Sequence, residues 1–201
     1  MILYAAPYAP IPDRVAMEAL MPPARRSRLE AEAPSLGPLF AYALLARALE
    51  QHCSISAYEA LAFTTTGRPY LPGTPVHLSL SHSKTHALCA VAPFPVGCDI
   101  ETHRPVSERV RRRVLGAGEA PEDFFALWTL TESYFKLGRS AGDAVLSVPP
   151  FENAEPHSWL YREIPDCTAA VAAHEPFPRP ALRILPPETL FSYAAEKIGL
   201  N

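Results

Sequence analysis

Ala87-Leu88-Cys89-Ala90-Val91-Ala92-Pro93-Phe94-Pro95-Val96-Gly97-Cys98-Asp99-Ile100-Glu101 is the stretch on which the fold turns. Residues 87–92 are small and apolar and predict a buried strand, which Pro93 and Pro95 break because proline lacks the N–H a ladder needs. A second strand starts at Val96. Side chains alternate along a strand, so Asp99 and Glu101 share one face while Cys98 and Ile100 share the other. The break marks a boundary between residues 1–95, an N-terminal half, and residues 96–201, a C-terminal half.

On the N-terminal side, the opening residues 1–4 suit a strand. Residues 14–20 have helical spacing that Pro22-Pro23 stops, and the basic run Arg25-Arg26-Ser27-Arg28 follows. Residues 39–52 are the clearest helix, with Leu39, Tyr42, Ala43, Leu45, Ala46 and Leu49 on one side. Residues 64–71 turn at Gly67 and Pro69, and residues 76–80 alternate as a strand does. Beyond the boundary, residues 107–115 predict a basic helix. Residues 121–137 predict a longer amphipathic helix that ends at Gly138 and Gly142. Residues 145–171 hold strand-like runs between prolines and charged turns. Strands covered by helices in both halves predict an α+β protein.

The bulk numbers narrow the function classes. The chain has 201 residues, 48% hydrophobic and 19% charged, which is ordinary globular composition. A net charge of -3 excludes nucleic-acid binding by bulk charge. The 23 prolines favour short elements and stiff connections. Four cysteines, Cys53, Cys89, Cys98 and Cys167, have no metal-ligand spacing and read as buried free thiols. The first 14 residues lack a basic start and a long apolar run, and no stretch offers about 18 uninterrupted apolar residues. The expectation is a cytoplasmic protein with no membrane or nucleic-acid partner.

Three segments carry chemistry. Asp99 and Glu101, side by side, repel each other, and a hard cation such as magnesium relieves that repulsion. Two solvated carboxylates are the alternative. Trp128, Glu132 and Lys136 fall at i, i+4 and i+8 of the predicted helix and line one face. They form either an aromatic anchor with a surface ion pair, or a metal ligand or base with a phosphate-binding lysine. Ser81 and His82, in Leu78-Ser79-Leu80-Ser81-His82-Ser83, can meet phosphate oxygens through hydroxyl, imidazole and backbone N–H. A nucleophilic Ser–His pair is the weaker alternative, because no nucleophile elbow surrounds it.

Gly67-Arg68-Pro69, Ser81-His82-Ser83, Gly97-Cys98-Asp99-Ile100-Glu101 and Trp128-Thr129-Leu130-Thr131-Glu132-Ser133-Tyr134-Phe135-Lys136 occur in series. In that order they resemble the phosphopantetheinyl transferases of the surfactin-synthetase-activating type. That family carries G-K-P, S-H-S, G-x-D-x-E and W-[ST]-x-K-E-[SA]-x-x-K. The resemblance implies two similar α/β halves, each an antiparallel sheet with helices, related by a pseudo-twofold axis around coenzyme A. It implies transfer of the phosphopantetheine arm to a serine of an apo acyl or peptidyl carrier protein, by a monomer. Asp99, Glu101 and Glu132 would hold magnesium, or manganese in its place. Arg25, Arg28, Arg68, Ser81, His82 and Lys136 would bind coenzyme A. Glu132 would act as base and Lys136 would assist the leaving group, with Glu101 or a water as the alternative base. Glu119 resembles a further acidic position.

The chain departs from the pattern at two places. Thr131 stands where the family has lysine, a lost charge for which Arg139 could compensate. The stretch between Arg28 and Leu45 is short, with Pro34 and Pro38 in it. Arg109, Arg111, Arg112 and Arg113 offer a positive surface to an acidic carrier, or simply a solvated helix face. Two rival readings remain: a magnesium-dependent phosphohydrolase or nuclease, and a non-catalytic protein that binds coenzyme A or a carrier.

Overall fold

The computed structural model describes residues 1–31, 35–55, 61–65, 67–115, 124–137 and 157–199. Those residues form a mixed α+β structure. Strands β1 (Ile2–Pro7), β4 (His77–His82), β5 (His86–Ala92) and β9 (Leu182–Ile184) make a four-stranded sheet in the order β4-β5-β1-β9. Strands β6 (Val96–Thr102), β7 (His157–Tyr161) and β8 (Cys167–Ala173) make a second, antiparallel sheet in the order β6-β8-β7. Ahead of β4 in the chain, the short strands β2 (Ala62–Phe63) and β3 (Pro69–Tyr70) pair by themselves.

Among the described residues the helices are α1 (Arg14–Ala19), α2 (Pro23–Ala31), α3 (Leu36–Cys53), α4 (Glu108–Leu115), α5 (Phe124–Phe135) and α6 (Pro187–Lys197). Pro23 opens α2 and does more than stop α1, since a first-turn proline loses no helical hydrogen bond. The longest helix, α3, begins three residues before the apolar pattern, taking Gly37 and Pro38 into its first turn. Asp13 caps α1 by accepting from the Ala16 N–H at 3.0 Å.

Strand alternation decides the layers. In the first sheet Tyr4, Ala6, Ala87, Cys89, Val91 and Leu78 pack with α1, α3 and α6. Their neighbours Leu3, Ala5, Leu88, Ala90 and Ala92 face the other way, into a second core with Val96, Cys98, Ile100, Ala169, Val171 and Ala173 of the second sheet. The first sheet is therefore buried on both faces, which is why 87–92 reads as continuously apolar. The far face of the second sheet carries Gly97, Asp99 and Glu101, in register with Ala172, Ala170 and Thr168, and packs on α5. The order is helices, sheet, sheet, helix. Although β9 and α6 lie far along the chain, they join the first sheet: β9 pairs parallel with β1, and Leu190, Tyr193 and Ala194 of α6 enter its helical core.

Candidate functional site

Gly97 brings α5 close to β6. A Cβ at this position would lie 1.8 Å from the Ser133 carbonyl oxygen and 3.1 Å from the Leu137 nitrogen, so helix backbone fills the space a side chain would need. This approach sets the C-terminal end of α5 against Asp99, two residues on. Lys136 closes the last turn through its N–H to the Glu132 carbonyl at 3.0 Å. Its ammonium reaches Asp99 Oδ1 at 2.7 Å.

The two segments with i, i+2 and i, i+4 spacing thus converge. Asp99 is 6% exposed. Its Oδ1 accepts from Lys136 and from the Ser81 hydroxyl at 2.7 Å, while its Oδ2 is buried and has no hydrogen-bond partner among the described residues. Half-buried Glu132 has its carboxyl held above the usual range, first by burial and next by the charge of Asp99, with Glu101 adding and Lys136 opposing. Glu101 pairs with Arg104, whose guanidinium lies 5.9 Å from the Phe125 ring centre on α5. His103 stacks on the same ring at 4.8 Å and shares a 2.8 Å hydrogen bond with Thr168.

On β4 the alternation separates Ser81 from His82. Leu78, Leu80 and His82 face α3, while Ser79, Ser81 and Ser83 face β6. The His82 ring lies over Gly37, where a Cβ would come within 2.7 Å of Cγ and Nδ1. Burial, and then the nearby Lys136 ammonium, push the His82 pKa below its ordinary value. The imidazole is therefore neutral near pH 7.

Arg68 is half-buried and donates to the Val96 carbonyl at 3.2 Å, which ties the turn before β3 to the start of β6. Arg25 donates to the Gly67 carbonyl and lies 4.7 Å from the centre of the Phe63 ring. Gly67 itself needs glycine, because its φ is +82°. The side chains of Arg28 and Arg113, and the whole of Pro34, Glu119 and Arg139, lie outside the described residues. Thr131 belongs to the buried side of α5, at 7% exposure.

Sequence reasoning did not single out Gly37, Ser79, His103 or Thr168. The period-two run of serines was a visible signal for Ser79. Nothing in the sequence marked Gly37 as the seat of His82.

Among the described residues, no three His, Cys, Asp or Glu side chains are gathered in ligand geometry. The donor set still suits a hard cation: one buried carboxylate oxygen lacks a partner, and burial, with the charge of Asp99 next, raises the Glu132 pKa. The buried thiol of Cys98, pushed up to about 11, stays neutral and offers no competing soft ligand.

No family model matches the chain. It is 32% identical over 82 residues to a 4'-phosphopantetheinyl transferase of Bacillus subtilis, covering 35% of this chain and 37% of that protein. It is 30% identical over 82 residues to 4'-phosphopantetheinyl transferase Sfp of Bacillus subtilis (strain 168), with the same coverage of each. Identity is 32% over 112 residues to 4'-phosphopantetheinyl transferase psf-1 of Bacillus pumilus, 47% of this chain and 48% of that one. The matched part spans less than half the length of these relatives. The resemblance read from the four motifs is thereby shown, as a distant and partial similarity.

Proposed function

We propose that this protein transfers the 4'-phosphopantetheine group of coenzyme A to a serine of an apo acyl or peptidyl carrier protein, releasing adenosine 3',5'-bisphosphate. The observation that carries the proposal is the buried Asp99 carboxylate beside Glu132, one oxygen held by Ser81 and Lys136 and the other without a partner. The partial similarity to 4'-phosphopantetheinyl transferases supplies the substrate, which carboxylates alone cannot name.

In this reading coenzyme A lies in a cleft between two similar halves of a monomer, divided at residues 1–95 and 96–201, with β9 and α6 returning to the first half. Arg68, His82, Arg25 and Arg28 meet its phosphates, and neutral His82 contributes hydrogen bonds without charge. The carrier serine forms a bond to the β-phosphorus as the bond to the nucleotide phosphate breaks. The electron pair leaves with adenosine 3',5'-bisphosphate. Glu132 takes the hydroxyl proton, directly or through a water. Glu101 is the alternative base. Lys136 neutralises charge on the departing phosphate. Asp99, Glu101 and Glu132 would hold magnesium or manganese, which would supply charge neutralisation at the pyrophosphate. Arg109, Arg111 and Arg112 on α4 would face the acidic carrier, with Glu108 already pairing with two of them.

Incubation with coenzyme A, magnesium and a panel of apo carriers tests the proposal by mass spectrometry. A gain of one phosphopantetheine on a carrier is expected. Tight coenzyme A binding without any gain would make the protein a non-catalytic binder, and phosphate release without carrier modification would make it a hydrolase.

A further inference from the structure

Ser79 and Ser81 of β4, with Ser83 just beyond it, form a ladder along the outer edge of β6. The Cys98 N–H donates to Ser79 Oγ at 3.0 Å, and the Ile100 N–H donates to Ser81 Oγ at 3.3 Å. The Thr102 hydroxyl donates to Ser83 Oγ at 2.8 Å. The opposite edge of β6 pairs with β8. Side-chain hydroxyls at period two therefore replace a neighbouring strand and satisfy N–H groups that burial would leave costly. One rung does more than this. Ser81, 6% exposed, gives its single hydroxyl proton to Asp99 Oδ1 while it accepts from Ile100.

We propose that Ser81 is a positioning residue for Asp99. A hydroxyl has one proton to donate, and this one is committed at 2.7 Å to a carboxylate. Ser81 and Lys136 both hold Oδ1, so the unpartnered Oδ2 is the oxygen turned toward a cation. The terminal torsion of an aspartate is broad. Two donors from different elements, β4 and the end of α5, fix it where one would leave it loose. This inference rests on the metal assignment in the proposed function, and its test needs neither coenzyme A turnover nor a carrier.

Electron paramagnetic resonance with manganese(II) alone measures cation affinity in the wild-type protein and in the Ser81→Ala, Ser81→Thr and Ser79→Ala variants. Thermal melts confirm that each is folded. Ser81→Ala is expected to weaken manganese binding about tenfold, Ser81→Thr to restore it, and Ser79→Ala to leave it unchanged, because Ser79 touches the β6 backbone and not Asp99. Equal manganese affinity in wild type and Ser81→Ala, or no binding by wild type, overturns the inference. If the serine variants separate as expected but no carrier is ever modified, the transfer reaction fails and the positioning role stands.

Discussion

At the residue scale, the site is a balance of charges that favour different partners. Glu132 is held above the ordinary carboxylate pKa by burial and by Asp99. A carboxyl whose folded pKa is raised stabilises the fold below its unfolded pKa and loses that contribution as pH rises through the folded value. Ionised Glu132 therefore burdens the fold at neutral pH. Glu132→Gln is expected to cut transfer at least ~100-fold, the usual scale for removing a general base. It should also raise the melting temperature at pH 7, with the gain vanishing in acid. A lower melting temperature for Glu132→Gln at pH 7 would contradict the burial of its carboxyl beside the charge of Asp99. His82 makes a second check. Its imidazole should titrate below its ordinary value by NMR, and Lys136→Met should move the midpoint upward, since the ammonium opposes its protonation. An unmoved midpoint would mean that Lys136 does not face His82.

At the element scale, β6 and α5 form a matched pair. Gly97→Ala is expected to cost at least the ~1–3 kcal/mol of an overpacked core, because its Cβ meets the Ser133 carbonyl and not a movable side-chain end. A denaturant midpoint within error of wild type would show that α5 can retreat. Thr131 gives the reverse case. Where the related motif carries lysine, this helix buries threonine at 7% exposure. Thr131→Lys is expected to lower stability without raising transfer, as an ammonium there would lose solvent. A clear gain in transfer would show that the departure weakens catalysis. The sequence displayed the faces of both elements: period two placed Asp99 with Glu101, and period four placed Glu132 with Lys136. It did not display the serine ladder's purpose, because the N–H groups that the serines satisfy lie 19 residues away on another strand.

At the scale of the whole molecule, the site is assembled from both sheets, and the chain's last elements brace the first sheet. Tyr193 of α6 donates to Glu50 of α3 at 2.5 Å, Lys197 pairs with the same carboxylate, and β9 lies beside β1. Ending the chain at residue 181 should expose the β1 edge and strip Leu190, Tyr193 and Ala194 from the helical core. Loss of cooperative melting by circular dichroism is the expected result. An unchanged melt would show that the first sheet is complete without them. Leu88→Ala, in the core between the sheets, should cost about 2–5 kcal/mol in chemical denaturation.

The stretch from Ala87 to Glu101 contained, by itself, two strands, the break between them and the face shared by Asp99 and Glu101, because proline chemistry and strand alternation are local. The order of the motifs likewise made the resemblance to phosphopantetheinyl transferases readable. Only the tertiary structure decided that β4 hydroxyls cover the β6 edge, that Asp99 turns one oxygen to Ser81 and Lys136, that His82 rests on Gly37, and that β9 and α6 return to the first sheet. Those contacts join residues far apart in the chain, and their partners follow from how the layers stack.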